Sequence, residues 1–237
     1  MSATHSSRYT IAFRFVSKYN GKMTTMTTKG YYSQVRSDLF PFIAQGKHKI
    51  LDVGCGEGKT LAELKKLGKA WYTAGIDICP EAVARAKKVL DKALVGDIEN
   101  ISLPWAKDYF DYIILADVLE HLTDPWTTVH QLKKNLKNDG FLIVSVPNIR
   151  NITILKNLIF DKDWTYRDRG ILDKTHLRFF TLKTIQALLK NEGFSILEVR
   201  ENLPQLNKPK RFLNQLVGGR LKPWYVVQYL IKARKAN

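Results

Sequence analysis

The sequence predicts a doubly wound α/β fold, a mostly parallel sheet with helices on both faces. Apolar runs of strand length alternate with amphipathic stretches of helix length between residues 49 and 199. The run 110–116 is apolar throughout, which is typical of a strand covered on both faces. A loop with glycine at positions 54, 56 and 58 joins one such run to the next helix. These three observations define the fold class.

The order of elements follows from the periodicity and from the residues that begin or end helices. Pro80 suits the first turn of a helix, Asp124 can cap free backbone N–H groups, and Gly193 can end a helix. Strands are predicted at 49–53, 71–76, 93–95, 110–116, 141–146, 194–199 and 225–231, and helices at 31–43, 60–67, 81–90, 124–138, 181–191 and 208–216. We expect one domain over 31–237, with 148–180 as an insertion on the substrate side. Residues 1–30 form a basic extension that we expect to be partly disordered or a lid.

The positive charge lies mainly in the two flanks of the chain. The net charge is +16, yet residues 1–30 contain five basic and no acidic residues, and residues 201–237 contain eight basic and one acidic residue. Such flanks suit an anionic membrane surface, a lipid-linked carrier or RNA, but they are equally typical of solvated ends. Because the central part is nearly neutral, nucleic acid is the less favoured partner. Only two cysteines are present, and no secretory or membrane-spanning run is seen, so we expect a cytoplasmic protein.

The loop at residues 52–58 has the pattern D-x-G-x-G-x-G. A nucleotide P-loop would need glycine where Val53 stands, and a dinucleotide fingerprint would need glycine at Lys59. Glycine amides at the start of a helix are expected to offer N–H groups to a ligand. The stretch containing Asp52, Gly54, Cys55 and Gly56 resembles motif I of the class I S-adenosylmethionine (SAM) methyltransferases. The alternative is a tight turn that only packs strand on helix.

Further acids stand at the ends of the next three strands, where ligands of doubly wound sheets bind. Asp77 can accept both ribose hydroxyls, and Asp97 can accept the adenine amino group while Ile98 packs on the ring. Ile78 follows Asp77 on the same side of the loop, and Asp117 is expected beside the methionine moiety. Each acid alone is more often a turn residue or a cap, but their joint placement indicates a nucleoside ligand.

The resemblance covers about residues 31–200 and extends to two further motifs. The stretch 117–125, DVLEHLTDP, is similar to the motif after strand 4 in methyltransferases of the quinone-biosynthesis and sugar O-methyltransferase type. The stretch 146–148, followed by GILDKTHLRFFT at 170–181, resembles a subgroup associated with polysaccharide biosynthesis. The resemblance implies a Rossmann-like sheet of seven strands with the last antiparallel, SAM as cofactor and transfer of its methyl group.

Candidate residues for the acceptor side follow from these motifs. His121 lies just beyond strand 4, where a neutral imidazole could remove a hydroxyl proton, or could instead hydrogen-bond the backbone. His176 and Arg178, with Asn148, could bind a polar substrate, or could brace the loop. No run of His, Cys or Asp has metal-ligand spacing, so we expect no metal.

We therefore expect an O-methyltransferase acting on a sugar or glycan intermediate. The alternatives are another small molecule such as a quinone, RNA, or a SAM-binding module without catalysis.

Overall fold

The computed structural model describes residues 34–204, 215–216 and 218–236. It contains one seven-stranded sheet whose strands, in chain order, are β1 (His48–Val53), β2 (Ala70–Asp77), β3 (Lys92–Val95), β4 (Phe110–Ala116), β5 (Leu136–Pro147), β6 (Phe194–Asn202) and β7 (Gln228–Lys235). The spatial order is β3-β2-β1-β4-β5-β7-β6. Strands β1 to β5 pair in parallel, and β7 is antiparallel to both β5 and β6. The predicted fold class is confirmed.

Helices and single turns connect the strands. The helices are α1 (Lys59–Lys66), α2 (Pro80–Ala86), α3 (Pro125–Asn135), α4 (Ile152–Lys156), α5 (Leu182–Asn191) and α6 (Lys222–Tyr225). Two 3-10 turns cover Ser37–Phe42 and Leu119–His121, and a π-turn covers Asn157–Asp161. The Asp124 side chain caps α3 by accepting from Thr127 N, as expected from the sequence. Within the described residues, no helix combines the length and apolarity that crossing a bilayer requires.

The apolar character of β4 arises because it contributes to a core on each face of the sheet. Ile113 and Leu115 belong to one buried cluster, and Tyr112 and Ile114 belong to the other. Its register with β1 and β5 brings the carboxyl ends of these three strands to one edge. The candidate functional residues lie at that edge.

Several element boundaries differ from the sequence prediction. In place of the helix predicted at 31–43, residues 34–36 have no regular structure and a 3-10 turn follows, because Pro41 cannot donate an α-helical hydrogen bond. The helix predicted at 81–90 ends at Ala86.

The connection from α3 to β5 is also different. The helix predicted to reach residue 138 ends at Asn135, and residues 136–140 already belong to β5, where Asp139 has φ +63°. The last strand begins at Gln228, after a short helical turn that carries Pro223 near its start. The extension 1–30 and most of the helix predicted at 208–216 lie outside the described residues.

Candidate functional site

The glycine loop makes a close turn between β1 and α1. Gly54, Gly56 and Gly58 all have positive φ, at +74°, +54° and +75°. A Cβ atom on Gly54 would lie 2.9 Å from Val118 Cγ2, and one on Gly58 would lie 2.8 Å from Leu90 Cγ. Both the left-handed backbone and the close packing therefore require glycine here.

The amide groups of this loop are used within the protein, contrary to the expectation that they are free for a ligand. Gly54 N and Cys55 N donate to Ile76 O at 2.8 and 3.1 Å, and Gly58 N donates to Cys55 O. Gly56 N donates to Asp77 Oδ2 at 2.8 Å. The end of the neighbouring strand β2 accepts three of these four hydrogen bonds, and the turn itself accepts the fourth. Recognition of a ligand falls to the carboxylates around it.

Asp52 is a buried carboxylate at the base of the loop. It is only 5% exposed, and its side chain accepts no hydrogen bond from the described residues. Burial raises the pKa of Asp52 to about 7, Asp77 adds to the rise, and Arg36 opposes it. A buried acid of this kind gains from a cationic partner. The ammonium group of a SAM molecule would supply one.

Asp77 holds the loop and is available for a further bond. Its Oδ2 accepts from Gly56 N and its Oδ1 accepts from Cys79 N at 2.9 Å. Each carboxylate oxygen has a second lone pair, so both can still accept a ribose hydroxyl. The neighbouring Ile78 is 58% exposed and offers an apolar face.

The residues expected at the adenine and in the loop have local partners. Asp97 accepts from Glu99 N at 3.0 Å and from Asn100 Nδ2 at 2.7 Å. Ile98 is 8% exposed and belongs to the core, so most of its surface is not free for a ring. The Cys55 thiol is buried against Gly75, where a Cβ would lie 2.5 Å from Sγ, and burial raises the Cys55 pKa. Their contacts with a cofactor stay predictions.

Arg36 is a site residue that the sequence reasoning did not single out. Its guanidinium donates to Asp117 Oδ2 at 2.6 Å and to Ser145 Oγ at 3.2 Å, at the ends of β4 and β5. Asp117, with φ +56°, also accepts from Ser145 Oγ and Gln228 Nε2. Arg36 Nε and Nη2 also donate to Asp38, at 3.0 and 2.9 Å, so Arg36 pairs with two carboxylates. No local motif marks the longer of these contacts, because Asp117 lies 81 residues away in the chain.

Two histidines from distant segments meet on the other side of β4. The rings of His121 and His176 are edge-to-face with centroids 4.8 Å apart. The loop that carries His176 is fixed by backbone bonds, in which Leu177 N and Arg178 N donate to Glu120 O at 2.8 and 2.9 Å. The structure therefore brings together the two imidazoles that the sequence analysis assigned to the acceptor side.

The surroundings of His121 select one tautomer. Its Nδ1 lies 3.2 Å from Thr175 O and 3.1 Å from Thr175 Oγ1. Thr175 Oγ1 donates its own proton to Asp173 Oδ1 at 2.7 Å, so both neighbours act as acceptors and Nδ1 carries the hydrogen. Burial and the neighbouring His176 lower the pKa of His121. The ring is thus neutral, and its Nε2 accepts no hydrogen bond from the described residues.

Glu120 is the least satisfied polar group of the site. It is 1% exposed, and neither carboxylate oxygen has a hydrogen-bond partner among the described residues. Burial raises the pKa of Glu120 well above its usual range. Ligand atoms of Glu120, His121 and His176 lie within 4.8 Å of one another. His176 Nδ1 lies 3.0 Å from Ile171 O, so this imidazole also has its Nε2 free. The three groups could share a proton or hold a divalent cation, a grouping that their separation in sequence conceals.

Asn148 and Arg178 have structural partners in this state. Asn148 is fully buried, and its Nδ2 donates to Val226 O at 3.0 Å. Arg178 donates to Thr123 O and lies over the ring of Trp126 at 5.8 Å. These contacts match the alternative in which the residues brace the loop. A role in substrate binding stays a prediction for both.

Comparisons with known proteins agree with this arrangement. A family model described as a methyltransferase domain matches residues 26–199. The chain is 29% identical over 160 residues to the ubiquinone biosynthesis O-methyltransferase of Bos taurus, covering 62% of this chain and 41% of that protein. It is 34% identical over 167 residues to the corresponding Schizosaccharomyces pombe protein, covering 64% and 57%. The chain thus spans about half the length of these relatives.

A solved structure shares the fold. The SAM-dependent methyltransferase from Archaeoglobus fulgidus superposes with a TM-score of 0.62 at 19% identity, covering 95% of this chain and 100% of that one. The family model spans most of the chain and includes the glycine loop, all the acids at the strand ends and both histidines. The chain therefore belongs to the class I SAM-dependent methyltransferases.

Proposed function

We propose that the chain transfers the methyl group of SAM to a hydroxyl group of a small-molecule acceptor, with His121 as the base. The acceptor oxygen attacks the sulfonium methyl carbon, the bond from that carbon to sulfur breaks, and the hydroxyl proton passes to His121 Nε2. S-adenosylhomocysteine is the leaving group. The observation that carries this proposal is the contact of His121 Nδ1 with Thr175 O, which leaves the second ring nitrogen free to accept.

The donor side of the proposal uses groups of opposite charge for the two ends of the methionine moiety. We assign the ammonium group to Asp52, which is buried, and the carboxylate to Arg36, whose guanidinium donates to Asp38 and Asp117. Asp77 accepts the ribose hydroxyls. Because the loop amides are already bonded, these side chains supply most of the polar recognition.

For the acceptor we propose a sugar or glycan intermediate. Its hydroxyl is a far weaker acid than a phenol, so it gains most from a neutral imidazole placed beside the methyl group. The motif at 170–181 and the polar groups of Asp173 and Arg178 support this choice. We also propose that a lipid-linked carrier presents the acceptor to the site and that the protein is cytoplasmic.

A phenolic quinone precursor is the second candidate. The names of the relatives favour it, and so does a row of rings beside the imidazoles. The rings of Trp164 and Phe179 are 5.4 Å apart, and those of Phe179 and His176 are 6.4 Å apart. Such rings can pack on a flat acceptor.

Labelled SAM distinguishes these acceptors. The full-length protein is incubated with nucleotide-sugar and envelope-glycan fractions, with dihydroxyphenols, and with RNA. We expect label in the sugar or glycan fraction. Label only in the phenols would support the second candidate, and label only in RNA would contradict both. SAM binding without turnover on any acceptor would indicate a binding module without catalysis.

His121→Gln tests the base. We expect kcat to fall by about 100-fold or more while SAM affinity, measured by calorimetry, stays unchanged. His130→Gln is the matched control, because His130 is exposed and contacts Glu192 away from the site. Equal kcat in the His121 variant and the wild type would rule out His121 as the base.

The unpartnered Glu120 favours a second role for the same histidines, as ligands of a divalent cation that would polarise the acceptor hydroxyl. Turnover abolished by a chelator and restored by Mg²⁺, Mn²⁺ or Zn²⁺ would support this role. Turnover that is insensitive to chelation leaves His121 as the base.

A further inference from the structure

An exposed apolar surface stands apart from the site at the end of α4. It consists of Leu158, Ile159 and Phe160, which are 45%, 63% and 74% exposed, and we call it the apolar ridge. Neither α4 nor the π-turn that carries the ridge contains a buried residue. The turn therefore projects from the protein with its apolar side chains uncovered by the described residues.

The arrangement of the ridge suits a soft apolar medium better than a protein groove. A protein groove that binds a helix contacts side chains at positions i, i+3 and i+4, which form one stripe along the helix. Here three consecutive side chains are exposed and point in different directions around one turn. A bilayer interface can accommodate the apolar ridge, because lipid headgroups and chains adjust around the exposed side chains.

Unpaired lysines flank the ridge. Lys156 precedes it and Lys162 follows it, and both are exposed without an ion pair in the part of the chain that the structure describes. Arg167 and Arg169, a few residues on, are also exposed. The same stretch contains Asp161, Asp163 and Asp168, so residues 156–169 carry four basic and three acidic side chains. The two unpaired lysines beside the ridge, on a chain with a net charge of +16, suit an anionic surface.

The ridge and the acceptor side of the site belong to the same segment. Trp164 contacts Phe179, Phe179 contacts His176, and His176 contacts His121 in a row of edge-to-face rings. Phe160 precedes Trp164, the first ring of this row, by four residues.

We propose that the apolar ridge, with Lys156 and Lys162, docks the protein on an anionic phospholipid surface. The ridge lies in the interface and does not cross it, since the described helices include none long and apolar enough to span a bilayer. The inference does not depend on the identity of the acceptor.

Vesicle sedimentation with the full-length protein tests the proposal. We use phosphatidylcholine vesicles with and without phosphatidylglycerol, at low and high salt. We expect binding that needs phosphatidylglycerol and weakens with salt. In the double variant Ile159→Asp, Phe160→Asp we expect vesicle affinity to fall at least about tenfold. Lys156→Glu with Lys162→Glu should reduce the salt-sensitive part.

The matched control is Leu197→Asp, because Leu197 is 49% exposed on β6 and lies outside the ridge. Unchanged SAM affinity in every variant shows that the fold is intact. Equal binding of the ridge variant and the wild type would overturn the proposal and assign the contact to the basic flanks. Absence of wild-type binding to phosphatidylglycerol vesicles would also overturn it.

Discussion

The donor half and the acceptor half of the site are built in different ways. The donor half takes its acids from the ends of β1, β2 and β3, within residues 52–97. Its contacts join neighbouring strands, as when Gly56 N donates to Asp77. The acceptor half joins the turn at 119–121 to a loop more than 50 residues away. Local motifs therefore describe these acids well, whereas only tertiary contacts bring Arg36 to Asp117 and assemble the acceptor half.

The two halves also differ in how they hold charge. In the donor half, Asp52 and Asp77 are both buried acids. Burial disfavours the ionised form of Asp52, and the nearby Asp77 disfavours it further. In the acceptor half, the pKa of His121 is lowered, so its imidazole is kept neutral. The donor half is thus prepared for a cation, and the acceptor half is prepared to receive a proton.

Asp77→Asn should produce the largest difference between an effect on SAM affinity and an effect on kcat. It removes the ionised acceptor for the ribose hydroxyls, so we expect SAM affinity to fall by about 100-fold, measured by calorimetry. At saturating SAM, kcat should change little. Asp91→Asn is the control, because Asp91 is an acid that accepts from Thr73 of β2 and from Lys65 of α1 and does not contact the glycine loop. A large loss of kcat at saturation would show that the halves are coupled.

The pH dependence of SAM binding sharpens the account of Asp52. With its pKa at about 7, Asp52 is mostly protonated at pH 6 and half ionised at pH 7. Because the ammonium group of SAM needs the ionised form, we expect affinity to rise about fivefold between pH 6 and pH 7. Asp52→Asn should bind SAM weakly at both pH values. If the SAM affinity of this variant rises with pH as steeply as that of the wild type, a group other than Asp52 causes the pH dependence.

The raised pKa of Asp52 also predicts how the free energy of unfolding depends on pH in the absence of SAM. The folded-state pKa lies above the unfolded value of 3.8, so the free energy of unfolding falls as pH rises from about 4 and levels off above about 7. Above pH 7, Asp52→Asn should raise the free energy of unfolding by about 2 kcal/mol, because it removes a buried charge. Chemical denaturation at pH 8 measures this change.

Thr175→Val should have the smallest effect, confined to the acceptor half. The change removes one acceptor of His121 Nδ1 and the bond to Asp173, while Thr175 O remains. We expect kcat to fall about threefold with SAM affinity unchanged. Thr165→Val is the control, since its hydroxyl bonds Asp163 in the same segment and contacts no histidine. Loss of SAM affinity in the Thr175 variant would contradict the separation of the halves.

The sequence predicted the order of strands and helices because each apolar run and each glycine acts locally. It predicted boundaries less well at the 3-10 turn, where Pro41 breaks the α-helical pattern locally, and at the start of β5, where strand pairing overrides local preference. The free loop amides expected from the glycine pattern proved to be bonded to Ile76 and Asp77. The spacing of glycines predicts that a turn is tight but not which groups will use its donors.

The sequence alone determined the fold class, the glycine loop and the acids at successive strand ends. These features depend on side-chain periodicity and on the carboxyl ends of parallel strands meeting at one edge. Only the tertiary structure placed Arg36 against Asp117 and joined Glu120, His121 and His176. The partners in those contacts are 81 and more than 50 residues apart, and no short pattern records which distant residues will become neighbours.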